Sequence, residues 1–175
     1  MVITIEKGTE HDIKELGCLY DTVCDYLEHN VNYPGWKKGI YPAEEDAVQG
    51  VQEGNLYVAR HDGRIIGTVI LRHTPEDAYA KADWGIDLDY DHIFVIYTFA
   101  IHPDYQNKGV GRQMMEFIID HSKKMNAKAV RLDVYEKNAP AIGLYKRFGF
   151  QYIDKVDLGY GDFGLEEFEL YQKIL

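Results

Sequence analysis

The run Ile93–Ile101, IFVIYTFAI, constrains the fold of this chain more than any other stretch. A half-buried strand alternates apolar and polar residues, whereas a run that is apolar at nearly every position reads as a central strand covered on both faces. The run closes with the turn residues His102, Pro103 and Asp104, followed by Gln106-Asn107-Lys108-Gly109-Val110-Gly111-Arg112. Beyond it Val110, Met114, Phe117 and Ile118 recur at i, i+4, i+7 and i+8, the spacing of an amphipathic helix. Two glycines therefore stand where a central strand hands over to a helix.

That junction has its own chemistry. The first amides of a helix have no partner within it, and the helix dipole is positive there, so the junction suits an anion. Gly109 and Gly111 carry no Cβ to hold the anion off, and Lys108 and Arg112 bracket them with positive charge. Tight-turn chemistry alone would also account for two glycines. The string is neither G-x-x-x-x-G-K-[ST] nor G-x-G-x-x-G, because Met114 stands at the third glycine position. That weakens a nucleotide-binding reading. The whole string does closely resemble the Q/R-x-x-G-x-G/A signature with which GNAT-superfamily N-acetyltransferases hold the pyrophosphate of acetyl-coenzyme A.

A second string strengthens the resemblance. Asn138-Ala139-Pro140-Ala141-Ile142-Gly143-Leu144-Tyr145-Lys146-Arg147-Phe148-Gly149-Phe150 resembles the family pattern N-x-x-A-x-x-L-Y-x-K/R-x-G-F, at the family's distance from the glycine loop. Many of its letters also have structural readings. Asn138 is a good helix N-cap, Ala141 and Leu144 are packing residues, and Gly149 is a helix stop.

The rest of the chain reads consistently with one α/β domain over residues 1–175. Residues 2–5 suggest a short strand. Thr9-Glu10-His11-Asp12 resembles a capping box before a helix whose buried face holds Ile13, Leu16, Tyr20, Val23 and Leu27. Residues 30–42 form a loop dense in Tyr33, Trp36, Lys37, Lys38 and Tyr41, and a second helix starts at Pro42-Ala43-Glu44-Glu45 and is capped by Gly54. Residues 56–60 and 65–72 make a hairpin about the Asp62-Gly63 turn signal. Residues 74–92 read as a solvated acidic loop. Its Asp87-x-Asp89-x-Asp91 is no calcium loop, because His92 replaces the glycine and Thr98 the final glutamate. Strands over 129–135, 150–156 and 167–174 and a helix over 138–147 complete the order β-α-α-β-β-β-α-β-α-β-β. It matches the GNAT order, which implies a mixed, mostly antiparallel sheet flanked by helices.

Charge and cysteines bound the partners. A net charge of −10 argues against a general nucleic-acid binder; it would suit a cationic acceptor, although solubility explains it equally well. Cys18 and Cys24 fall on different faces of their helix and are not expected to bridge. No Cys/His spacing suggests a metal, and neither a signal peptide nor a membrane span is present, so a reducing cytoplasm is expected.

The resemblance implies an acetyl-CoA-dependent N-acetyltransferase working without metal. The acceptor is a small-molecule amine or a protein amine; neither nucleic acid nor membrane is expected, and a homodimer is allowed. The resemblance implies that backbone groups of Phe99, Ala100 and Ile101 pair with the pantetheine arm. Gln106, Asn107, Lys108, Gly109, Val110, Gly111 and Arg112 would hold the pyrophosphate. Asn138 would contact the cofactor, and Tyr145 would stand near the thioester sulfur. One departure stands out: Ile93, Phe94, Val95 and Ile96 offer no carboxylate where many members place their base. Asp91, His92 or a water chain remain as alternatives. A non-catalytic acyl-CoA-sensing module, or an interaction domain using the aromatic loop, stay open as rival readings.

Overall fold

The run Ile93–Ile101 forms a strand with the bounds that its apolar content predicts, in a computed structural model describing Met1–Leu175. The elements are β1 (Thr4–Lys7), α1 (Ile13–Glu28), α2 (Glu44–Gln52), β2 (Leu56–His61), β3 (Arg64–Arg72), β4 (Ile93–Ile101), α3 (Val110–Lys124), β5 (Ala129–Tyr135), α4 (Ala139–Arg147), β6 (Gln151–Val156) and β7 (Phe168–Ile174). The seven strands lie in the order β1-β2-β3-β4-β5-β7-β6. β4 and β5 pair in parallel; β1–β2, β2–β3, β5–β7 and β6–β7 pair antiparallel. This is the expected mixed, mostly antiparallel sheet with helices. No helix is long and apolar enough to cross a membrane.

The chain divides into two compact units. The first comprises Met1–Asn32, Trp36–Leu71 and Tyr97–Phe117. Its core joins the predicted face of α1 (Leu16, Tyr20, Val23, Leu27) to Leu56 and Val58 of β2, Ile65 and Ile70 of β3, and Ala100 of β4. The entry to α1 is capped as the sequence suggests, the Asp12 carboxylate accepting the Thr9 N–H at 2.9 Å. Asp62 (φ 48°) and Gly63 (φ 77°) make the β2–β3 turn with both residues left-handed, the twist that suits a two-residue hairpin. At Gly67 of β3 a Cβ would meet Met114 Sδ at 2.7 Å and Ala100 O at 3.3 Å, so a larger residue there would require the Met114 side chain of α3 to shift.

The second unit comprises Tyr33–Gly35, Arg72–Ile96 and Ile118–Leu175. β5 is its spine: Ala129, Val130 and Arg131 pair with the start of β4, and the whole strand pairs with β7. Val130, Leu132 and Val134 are buried, as is Leu170 of β7.

Two expectations shift. β1 spans Thr4–Lys7 rather than residues 2–5, because its register against β2 runs from Thr4↔Arg60 to Lys7↔Tyr57. Val2 stays exposed, so partner position rather than local apolarity sets the strand. Segment 74–92 is not simply solvated. Asp83, Asp87, Asp89 and Asp91 are exposed as expected, but Ala78, Tyr79 and Trp84 are buried. The aromatic side chains repay in apolar burial what an acidic loop alone could not.

Candidate functional site

In the first unit the end of β4 is irregular. Thr98 has φ 48°, rare for a β-branched residue, and its Oγ1 lies 2.7 Å from the Tyr41 hydroxyl. Tyr41 also meets Trp36 edge-on, ring centroids 6.0 Å apart, so the aromatic loop is anchored at this irregular point. Phe99, Ala100 and Ile101 follow, with Ala100 buried. After the strand, His102 N–H donates to Ile66 O at 2.9 Å, and Arg64 donates to His102 Nε2 at 2.8 Å. Burial, then the Arg64 charge, lowers the His102 pKa, and the unprotonated Nε2 is what Arg64 requires.

The glycine loop begins one short turn later, after Pro103–Tyr105. Gln106, Asn107, Lys108 and Gly109 are exposed, and Val110 is buried as the first residue of α3. Asn107 (φ 58°) and Gly109 (φ 82°) are both left-handed, so the chain winds tightly into the helix. Successive turns of this kind gather N–H groups into an anion-binding concavity. Gln113 N–H donates to Gly109 O at 3.1 Å, which leaves the amides of Val110, Gly111 and Arg112 without an intrahelical acceptor. Nothing lies within 4 Å of where a Gly109 Cβ would stand, so backbone conformation, not crowding, calls for glycine there. Lys108 Nζ sits 5.4 Å from the Tyr105 ring centroid, and Arg112 Nε donates to Glu116 Oε1 at 2.9 Å. The Arg112 pair is exposed and holds the side chain only weakly.

The second unit carries the other motif. Asn138 caps α4, its side chain accepting from Ala141 N–H at 3.4 Å. Tyr145 is buried, its ring 5.9 Å from that of Phe150. Asp91 and His92 lie exposed in the turn Tyr90–His92 before β4. They form a polar strand end.

Two polar residues on β5 carry no motif in the sequence. Asp133 accepts a hydrogen bond from the Tyr79 hydroxyl at 2.7 Å. Burial pushes its carboxyl up to about 6, although its surface is not wholly sealed from solvent. Arg131 is 2% exposed and donates to Gln172 and to the Tyr90 hydroxyl. In sequence, Arg131-Leu132-Asp133-Val134-Tyr135 alternates like a strand with one solvent face. Tyr79, Trp84 and Tyr90 instead cover that face. The available signal was the aromatic content of the segment before β4.

Residues 20–150 match the acetyltransferase (GNAT) family. The chain belongs to the GNAT family. Among its relatives is the UPF0157 protein YqkA of Bacillus subtilis (strain 168), 31% identical over 134 residues, which cover 75% of this chain and 34% of that protein. The spermine/spermidine N(1)-acetyltransferase of the same strain is 40% identical over 98 residues, 55% of this chain and 59% of that protein. The [ribosomal protein bS18]-alanine N-acetyltransferase of Escherichia coli (strain K12) is 40% identical over 55 residues, 31% of this chain and 37% of that protein. The chain thus spans from about a third to about three-fifths of the length of these curated relatives. A GNAT-family acetyltransferase structure from Streptococcus agalactiae shares the fold with a TM-score of 0.82 at 20% identity, over 99% of this chain and 95% of that one.

Proposed function

We propose that residues 1–175 act as one acetyltransferase domain that moves an acetyl group from acetyl-CoA to an amine by direct attack in a ternary complex. The observation that carries this reading is the loop before α3, where left-handed Asn107 and Gly109 lead into the unpartnered amides of Val110, Gly111 and Arg112. That arrangement suits a pyrophosphate, with Gln106 and Lys108 beside it. Backbone groups of Phe99, Ala100 and Ile101, just past irregular Thr98, would pair with the pantetheine arm, and Asn138 would contact the cofactor. Acetyl-CoA supplies the activated acetyl group.

The protein's task is then positioning and proton handling. Tyr145 donates a hydrogen bond to the departing sulfur, one that strengthens as negative charge develops there. The relatives named for spermine or spermidine and for ribosomal protein bS18 support an amine acceptor, small or protein-borne.

Calorimetric titration with CoA tests the cofactor half of this reading. Gly111→Asp adds a side chain and a negative charge at the loop and should weaken CoA binding by at least ~2 kcal/mol, the worth of a charged hydrogen bond. Undiminished binding by the folded variant would reject the phosphate site.

A further inference from the structure

Arg131 is a buried cation that the protein leaves without an anion. Its Nε donates to Gln172 Oε1 at 2.8 Å and its Nη1 to the Tyr90 hydroxyl at 2.9 Å, both neutral acceptors. No carboxylate pairs with it, and Nη2 has no acceptor within the protein. Burying a guanidinium this deeply without a counter-charge is costly. A carboxylate stands close at hand, since Asp133 is the next residue on the same face of β5. Asp133 takes its hydrogen bond from Tyr79 instead. The cation is therefore not spent on the fold's own acid.

The guanidinium is also held rigidly. It lies 4.1 Å from the Trp84 ring centroid and 5.2 Å from that of Tyr90. Trp84 Nε1 donates to Tyr79 O at 2.9 Å, and Gln172 Nε2 donates to Trp84 O at 3.0 Å while its Oε1 holds Arg131. Fixing both the ring and the planar fork in this way pre-organises the fork for a planar oxyanion.

Arg131 lines a cleft of about 610 Å³ together with Tyr79, Trp84 and Tyr90, and Asp83 and Asp87 line it too. That volume is in the range of small-molecule sites. Both aspartates are exposed. They would repel a bare anion but attract a ligand that also carries an ammonium group. We propose that this cleft binds a small amino-carboxylate, its carboxylate on Arg131, its ammonium toward Asp83 and Asp87, and its apolar part against Trp84 and Tyr90. The site belongs to the second unit alone, and it stands whether or not the chain transfers acetyl groups.

The test begins with thermal-shift screening of the full chain against the standard α-amino acids, without CoA. Calorimetry follows with the best amino acid, its primary amide and its deaminated acid. The amide should bind at least ~10-fold more weakly than the amino acid, because the carboxylate is lost. Arg131→Lys keeps the charge but loses the fork and the stacking, and it should weaken the amino acid by at least ~10-fold. Because Arg131 is buried, Asp87→Asn on the exposed lip provides a second variant free of folding risk. It should weaken the amino acid and strengthen the deaminated acid, a split that no merely structural role produces. If no amino acid binds, if the amide binds as tightly as the acid, or if Asp87→Asn moves both ligands in the same direction, the proposal is overturned. Mass spectrometry after adding acetyl-CoA then distinguishes the ligand's origin: an acetylated product marks an acceptor, an unchanged ligand an effector, and the binding site stands in either case.

Discussion

Burial pushes the Asp133 carboxyl from an ordinary 3.8 up to about 6, so between those values the folded state holds a proton that the unfolded chain has released. The stabilising contribution is complete below the unfolded value and is lost as pH rises through the folded one. The full span amounts to about 3 kcal/mol, an upper bound because some solvent reaches the group. Asp133→Asn retains an acceptor for the Tyr79 hydroxyl and should flatten this part of the profile, gaining about 1–3 kcal/mol at pH 7 relative to the parent. Urea denaturation across that pH range checks it; an unchanged slope would show that Asp133 is not the titrating group. At Tyr145, phenylalanine keeps the ring packed on Phe150 and deletes only the donor. Acetyl-CoA affinity should hardly change while kcat falls ~10- to 10⁴-fold, and an unchanged chemical step would make Tyr145 a packing residue. Tyr145 was legible because its whole motif was. Asp133 was not, because an aspartate alternating with leucine and valine looks solvent-facing until the partner that covers it is known.

The strand–loop–helix junction is the element most legible in the sequence. Ile93–Ile101 appears with the bounds expected for it, because a continuous apolar run bounded by turn residues leaves little choice of register, and the alternating run Ala129–Tyr135 does so too. The glycine loop was legible for the same local reason. Gly109→Ala tests its backbone: with φ 82° and open space around the missing Cβ, the variant should lose about 1–2 kcal/mol through conformation alone. Denaturant melts measure that loss, and a variant as stable as the parent would mean that the loop relaxes freely. Two features at this scale are not local and were not legible. No residue pattern announces that Thr98 turns left-handed within a strand, since its conformation is coupled to Tyr41 from a loop far away in sequence. Likewise, the segment before β4 looked like a solvated acidic loop because its aspartates outnumber its anchors, yet Tyr79 and Trp84 settle where it packs.

For the whole molecule, the order of elements carried the fold, and two motifs in that order carried the family. The acceptor was less legible, since it depends on loops and lips whose contacts are tertiary. Neither the net charge of −10 nor the fold selects among amines. The central claim is acetyl transfer, and the direct measurement is free thiol released from acetyl-CoA against a broad amine panel, with acetylated product counted by mass. At least one amine should yield thiol and acetyl-amine in equal amounts, with both lost in folded Gly111→Asp at subsaturating acetyl-CoA. No amine-dependent thiol release from a folded chain that binds CoA would contradict it, and would leave a cofactor-binding module in place of an enzyme.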